Sequence, residues 1–169
     1  MPIARSVLKS PIFIALAVGL ALAGCASKKP LPDNANGLGL NNNGGASPGS
    51  QQDFTINVGD RVFFETDSSA LTQTARATLD KQGQWLSQYT NYPITIEGHA
   101  DERGTREYNI ALGARRAAAT RDYLVAKGVP RNRIKTISYG KERPVAVCDD
   151  ISCWSQNRRA VTQLAGPTG

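Results

Sequence analysis

The stretch from Thr95 to Ala117, TIEGHADERGTREYNIALGARRA, constrains the fold more than any other part of the chain. A β-prone run, Ile94-Thr95-Ile96, follows Pro93, and β-branched residues favour extended backbone. If the strand continues, Glu97, His99 and Asp101 alternate onto one face of a sheet. Gly98 and Gly104 bracket this polar end, and Thr105 is a suitable N-cap for a helix starting at the next residue. From there to about Lys127 the chain is Ala-rich, with Leu, Arg and Glu and no internal Pro, which predicts a long helix. On it Asn109 and Arg116 stand two turns apart, with a drift of only about 20°. Gly113, Ala117, Thr120 and Leu124 fall on the same side, and Arg115 and Arg121 point elsewhere. Arg116 therefore faces inward, near the strand end that carries Asp101. A guanidinium there needs a carboxylate or an anionic ligand, because burying it unpaired is costly. Two readings are open: an internal Arg116–Asp101 salt bridge, or a two-charge binding site.

The rest of the globular part supplies elements on both sides of this unit. Phe54–Val58 and Arg61–Phe64 read as strand material interrupted at Gly59-Asp60, and Asp67-Ser68-Ser69 as a loop. Thr72 caps an expected helix to about Tyr89, with Leu71, Ala75, Leu79 and Leu86 on one side. The long helix stops at Gly128-Val129-Pro130. Ile134–Ser138 and Arg159–Leu164 are further strands. Strand–helix alternation predicts an α+β fold of βαβαβ type, a sandwich with helices on one side of a mixed sheet.

The chain has room for one modest domain, expected over residues 53–169, plus extras. Arg5 and Lys9 precede an apolar run, Ile12–Ala23, too short to span a bilayer, so residues 1–24 read as a signal peptide. The run ends in Leu22-Ala23-Gly24-Cys25, which resembles a bacterial lipobox: small residues before a cut that exposes a thiol for diacylglycerol. Several acyl chains on Cys25, at about 0.8 kcal/mol per buried methylene, make a stable membrane anchor. Ala26 stands where an Asp would signal inner-membrane retention, so the expected address is the outer membrane, with the domain in the periplasm. Residues 25–52 are then a lipidated N-terminus and a disordered linker, rich in Asn, Gly, Ser and Pro. Its r.m.s. reach is roughly 30 Å, and up to about 90 Å when extended.

Losing Arg5 and Lys9 takes the formal net charge from +6 to +4. The export signal and dispersed basic residues argue against nucleic acid as partner. With Cys25 assigned to lipid, Cys148 and Cys153 remain, and an oxidising compartment favours a disulfide between them. A metal site is the alternative, weak at this spacing without a nearby His. His99 is the only histidine, which rules out a catalytic triad or multi-His metal site within the chain. Paired carboxylates, Asp101 with Glu97 or Glu102, suit a glycosidase, but beside Arg116 Asp101 makes a poor acid. No motif calls for a cofactor.

The segment GHADERGTREYNIALGARRAAATRDYLVAKGV resembles the signature of the OmpA-like peptidoglycan-binding family, within it the peptidoglycan-associated lipoproteins. The resemblance continues in Ser138-Tyr139-Gly140, Pro144 and Asn157-Arg158-Arg159, and covers about residues 53–165. It implies the sandwich already expected, and non-covalent binding of the diaminopimelate of the peptidoglycan stem peptide. By the same resemblance Asp101 and Arg116 hold the ammonium and carboxylate of that side chain. His99, Asn109, Asn157 and Arg158 are expected to help form the pocket. The resemblance also implies a tether between outer membrane and wall within the Tol–Pal system, active at envelope constriction in cell division, with TolB and other Tol proteins as partners. The alternatives are a wall-binding lipoprotein without TolB, or a wall-modifying hydrolase.

Overall fold

The computed structural model describes residues 46–166. The signal peptide, Cys25 and most of the linker read from the sequence lie outside the described residues.

The sheet has four strands: β1 (Arg61–Phe63), β2 (Ile94–His99), β3 (Ile134–Gly140) and β4 (Arg159–Leu164). Their spatial order is β1-β4-β2-β3, so the last strand enters between the first two. β2 and β3 are parallel, whereas β4 runs antiparallel to both of its neighbours. A parallel pair needs a crossover, and helix α3 (Arg106–Ala126) supplies it. Helix α2 (Gln73–Gln88) connects β1 to β2 and packs beside α3 on the same face. Both helix starts are where their caps predict: Thr72 accepts from Ala75 N and Thr105 from Tyr108 N.

The core lies between this helical layer and the sheet. Ile94 and Ile96 of β2 point into it, joined by Leu79 and Leu86 of α2, Ala117 and Leu124 of α3, and Ala160 of β4. Gln82 is buried among them yet satisfied, donating to Gly59 O at 2.7 Å and accepting from Thr162 Oγ1 at 2.8 Å. Gly98 and Gly113 set the spacing between β2 and α3. A Cβ on Gly98 would collide with the Gly113 carbonyl, and one on Gly113 with Ser138 Oγ. The two glycines thus let α3 rest directly on the strand end that leads to Asp101.

Two segments differ from the sequence expectation. Phe54–Val58 is not a strand: Gln51–Asp53 and Phe54–Gly59 form one helical segment, α1, with Ser50 as its N-cap. Only Phe54 is fully buried there, with Val58, one turn on, half-buried against the same core; Thr55, Ile56 and Asn57 face solvent. The spacing that matters is thus four residues and not two. Phe54 meets Trp85 at 5.0 Å between ring centroids, and Asp53 accepts from Trp85 Nε1 at 2.8 Å. The packed unit also begins ahead of residue 53, since Gly49 O accepts from Tyr92 OH and Gln51 Nε2 donates to Leu164 O. The second difference is a short helix, α4 (Ile151–Asn157), where the sequence suggested only a loop. Asp150 caps it, and a disulfide between Cys148 and Cys153 ties its first turn to the preceding loop.

Candidate ligand-binding site

β2 delivers the chain to a polar turn, residues 100–105, and α3 leaves from it. Alternation holds only to His99: the strand ends there and its register to β3 shifts between Gly98 and His99, so Asp101 lies beyond the sheet. The turn is fixed by donors from outside it. Asn109 Nδ2 bonds Arg103 O at 2.8 Å, and Lys141 Nζ bonds Glu102 O and Gly104 O at 3.0 and 2.7 Å. Gly104 has φ 88°, a left-handed conformation that costs a glycine little.

Above this turn is a cleft of ≈ 290 Å³, lined by Thr66, Asp67, Asp101, Arg103, Gly104, Tyr108, Asn109 and Leu112. Asp101 is 7% exposed. Its Oδ2 takes Arg103 Nη2 at 2.7 Å and Arg158 Nη1 at 3.4 Å, and its Oδ1 takes the Arg103 backbone N and Nε, each at 3.2 Å. Burial pulls the carboxyl upward, but the hydrogen bonds and charge of Arg103, with Arg158, outweigh it and hold Asp101 below the usual carboxylate range. It is an anion poised to accept. On the opposite wall Tyr108 donates its hydroxyl to Asp67, whose backbone is itself left-handed at φ 55°.

Arg116 is where the helix period placed it, fully buried on the inner side of α3. Its guanidinium does not form the internal salt bridge with Asp101 that is one of the two sequence readings: among the described residues it makes no ion pair. Nε donates to Ser68 O at 2.8 Å, Nη1 to His99 O at 2.8 Å and Nη2 to Glu65 O at 3.0 Å. Its Cζ stands 5.2 Å from the Phe64 ring centroid. Burial pulls its pKa down to about 10, partly countered by the nearby Asp101 charge, so it stays a cation at neutral pH. One side chain thereby ties the 65–68 turn, the far wall of the cleft, to the end of β2. The helical period tells which way Arg116 leaves its helix, not where a four-bond side chain ends.

The other expected residues divide. Asn109 lines the cleft and Arg158 supports it, bonding Phe64 O at 3.1 Å as well as Asp101. Asn157 is elsewhere: its Oδ1 accepts from Val145 N and Ala146 N and its Nδ2 bonds Ala146 O, which fastens the β3–α4 loop. His99 meets the site only through its backbone carbonyl. Its ring is buried on the opposite face of the sheet, 5.6 Å from Tyr139 and 3.6 Å from Glu97 Oε2. Burial, with Arg159 and Arg143 adding, lowers its pKa to about 4, which keeps the ring neutral. Three residues not singled out from the sequence belong to the site: Arg103, Tyr108 and Trp154. In the sequence Arg103 is legible only as a charge inside a turn, and Trp154 lies in α4, where the sequence suggests only a loop. Trp154 carries Arg103 over its ring, Cζ to centroid 4.2 Å, and donates Nε1 to Glu102 Oε1 at 2.8 Å. Among the described residues no group of three or more His, Cys, Asp or Glu is arranged to hold a metal ion.

A family model described as the OmpA family matches residues 63–158. A peptidoglycan-associated lipoprotein of Rhizobium meliloti (strain 1021) is 72% identical over 96% of this chain and 92% of its own length. One from Brucella melitensis is 68% identical over 96% of both. Among solved structures, the peptidoglycan-associated lipoprotein from Burkholderia pseudomallei is 40% identical, with TM-score 0.61, over 63% of this chain and 90% of that one. The C-terminal domain of Helicobacter pylori MotB shares the fold, with TM-score 0.59 at 23% identity. With these relatives, and the family match spanning more than half its length, the chain belongs to the OmpA family, among the peptidoglycan-associated lipoproteins.

Proposed function

We propose that this chain binds peptidoglycan non-covalently through the Asp101 cleft and holds it to the outer membrane through lipid on Cys25. The observation that carries the reading is Asp101 itself, an ionised carboxylate at the base of an open cleft in a chain so close to peptidoglycan-associated lipoproteins. The ammonium of a diaminopimelate side chain is the cation it accepts. Asn109 and the 65–68 turn shape the cleft around it. Arg116 serves by holding that turn, and Arg158 by orienting Asp101. A charge-assisted hydrogen bond to such a carboxylate contributes about 1.5–3 kcal/mol, which gives a reversible grip on each stem peptide. His99 and Asn157 act as structural residues, the first under the β2 end and the second in the β3–α4 loop.

The role is that of a binding module, not an enzyme: Asp101 held ionised by two arginines has no proton to give a leaving group. Placement in the outer membrane, with the domain in the periplasm, follows the lipobox at Cys25 and Ala26 after it. Membership of the Tol–Pal system, with TolB as a protein partner and a part in constriction at division, belongs to the same proposal and is supported by the likeness to peptidoglycan-associated lipoproteins.

The test is co-sedimentation of the full chain, in detergent, with purified peptidoglycan, wild type against Asp101→Ala, with soluble muropeptides assayed in the supernatant. Wild type is expected to pellet with the wall, the folded variant to stay in solution, and no fragments to be released. Equal pelleting of the variant would reduce Asp101 to an internal ion-pair partner, and released fragments would point to a hydrolase.

A further inference from the structure

We propose that the pole of the domain opposite the Asp101 cleft carries an anion site for the phosphate of acidic phospholipids in the membrane that holds the chain. This rests on the Cys25 anchor proposed above, and it gives the domain a preferred facing, cleft towards the wall and this pole towards the lipid.

Residues 127–135, KGVPRNRIK, hold four cations and no carboxylate. Two of them are neutralised by neighbours, Lys127 by Asp80 at 2.7 Å and Arg131 by Asp122 at 3.3 Å. Arg133 is committed to main chain instead: its guanidinium donates to the carbonyls of Leu86, Tyr89 and Tyr92 at 2.9–3.3 Å. Those bonds fix its position but bring no full negative charge to cancel its own. Lys135 stands exposed on β3, opposite Thr95 of β2, and makes no ion pair among the described residues. Both cations line a pocket of ≈ 310 Å³ together with Thr90, Asn91, Thr95 and Asn132, and no acidic side chain is among the lining residues. Two positive charges with hydroxyl and amide donors, and no competing carboxylate, suit the charge shared by the two free oxygens of a phosphodiester.

Position in the fold says which anion this is. The Asp101 cleft lies beyond His99, at the C-terminal end of β2, whereas this pocket surrounds Ile94 at the N-terminal end, about 17 Å away along the strand. The chain also enters the domain here. Tyr92, in the pocket wall, donates its hydroxyl to Gly49 O at 2.8 Å, and Gly49 lies so close to Tyr89 that a Cβ would collide with the ring. Residues 26–45 separate Cys25 from this entry, a stretch of 20 residues that spans at most about 70 Å. A headgroup bound beside the entry point needs no doubling back of the chain over the domain. Attraction to an acidic leaflet fades within about 10 Å, so the pole held near the lipid gains from it and the far pole does not.

The test is hydrogen–deuterium exchange, read by mass spectrometry, on the full chain reconstituted in vesicles. One set is pure phosphatidylcholine, and the other contains about one fifth phosphatidylglycerol. Exchange over residues 90–95 and 131–135 is expected to be slower in the acidic vesicles by about threefold or more, while the turn 101–105 at the far pole is unchanged. Lys135→Gln, an exposed and unpaired position, should abolish most of that slowing and leave urea stability as in wild type. Equal exchange in both vesicles overturns the proposal, and so does equal slowing at 101–105, which would mean a general crowding of the surface. Slowing that survives Lys135→Gln places the lipid elsewhere and overturns it too. Inorganic phosphate added to the neutral vesicles separates the sources: protection by phosphate, with none from the acidic lipid, makes this a site for a free anion and removes the membrane assignment. Flotation reports on the underlying reading separately. A chain that floats with neither vesicle loses the Cys25 anchor and this inference with it, whereas a floating chain with unslowed exchange loses the inference alone.

Discussion

His99 shows what a buried titratable side chain does to a fold when it lies just behind the turn that carries Asp101. The groups around its ring are Glu97 on its own strand, Tyr139 at the end of β3, Arg143 beyond it and Arg159 on β4. Arg143 is stacked on Tyr139 at 3.6 Å and Arg159 Nη2 is bonded to Arg143 O, so two cations are locked near the imidazole. The folded pKa of about 4 lies below the unfolded value of 6.5. Between these two values the unfolded chain binds a proton that the native protein refuses, so native stability rises with pH across that window and falls as the medium is acidified. The full difference amounts to about 3 kcal/mol. Urea unfolding at pH 7.5 and at pH 5 samples about 2 kcal/mol of it, the part above pH 5, and His99→Phe should flatten the difference between them. A variant with the wild-type pH slope would assign that slope to the carboxylates instead. Arg116 makes the complementary point. Because the fully buried Arg116 holds three backbone carbonyls, Arg116→Ala is first a stability variant, and its loss of wall binding would not by itself identify a ligand contact.

Helix α4 is too short to persist on its own, at seven residues, and it owes its place to covalent and tertiary restraints. Cys148 and Cys153 close a loop across a sequence separation of 5, which restrains the unfolded chain by about 2 kcal/mol on the loop-entropy scale. Replacing both with Ser should therefore lower stability by about that amount in denaturant titration. It should also weaken the seat of Trp154 under Arg103, read as greater quenching of Trp154 fluorescence by iodide in a Trp85→Phe background. Unchanged stability and quenching would mean that Asp150 and the Trp154–Glu102 bond suffice to hold α4. At this scale the sequence was readable where an element's own pattern decides its fate. Both long helices begin at their expected caps, and Asn109, Gly113, Arg116, Ala117, Thr120 and Leu124 all face inward on α3. It was not readable where distant partners decide. Phe54–Val58 has strand-like composition, but docking of Phe54 on Trp85 coils it, and α4 depends on a crosslink. The site was legible to the same extent: Asp101 and Asn109 line one cleft, whereas Arg116 ends on carbonyls of a turn formed much earlier in the chain.

For the whole molecule, the proposed lipid at Cys25 and the Asp101 cleft are two grips in series, joined by the stretch between them. On this proposal each wall contact is a single small cleft making a few charged hydrogen bonds, reversible on its own. Many lipid-held chains on one membrane patch would face the wall together, so that releasing one leaves the others in place. Avidity of this kind can exceed the single-site affinity by roughly 10²–10⁴. The two ends should then fail in opposite ways. Cys25→Ser should leave the membrane fraction yet still sediment with peptidoglycan, weakly and with rapid exchange. Asp101→Asn should stay in the membrane fraction, and vesicles carrying it should no longer pellet with the wall. Wild-type vesicles should pellet, and should be released by soluble diaminopimelate muropeptide only at concentrations far above its single-site Kd. If Cys25→Ser chains hold the wall as firmly as wild-type vesicles do, one cleft suffices and the membrane end adds nothing to the grip. Diluting wild-type chains within the vesicles decides the matter: a steep loss of pelleting with surface density follows from many weak contacts in parallel, and from no single strong one.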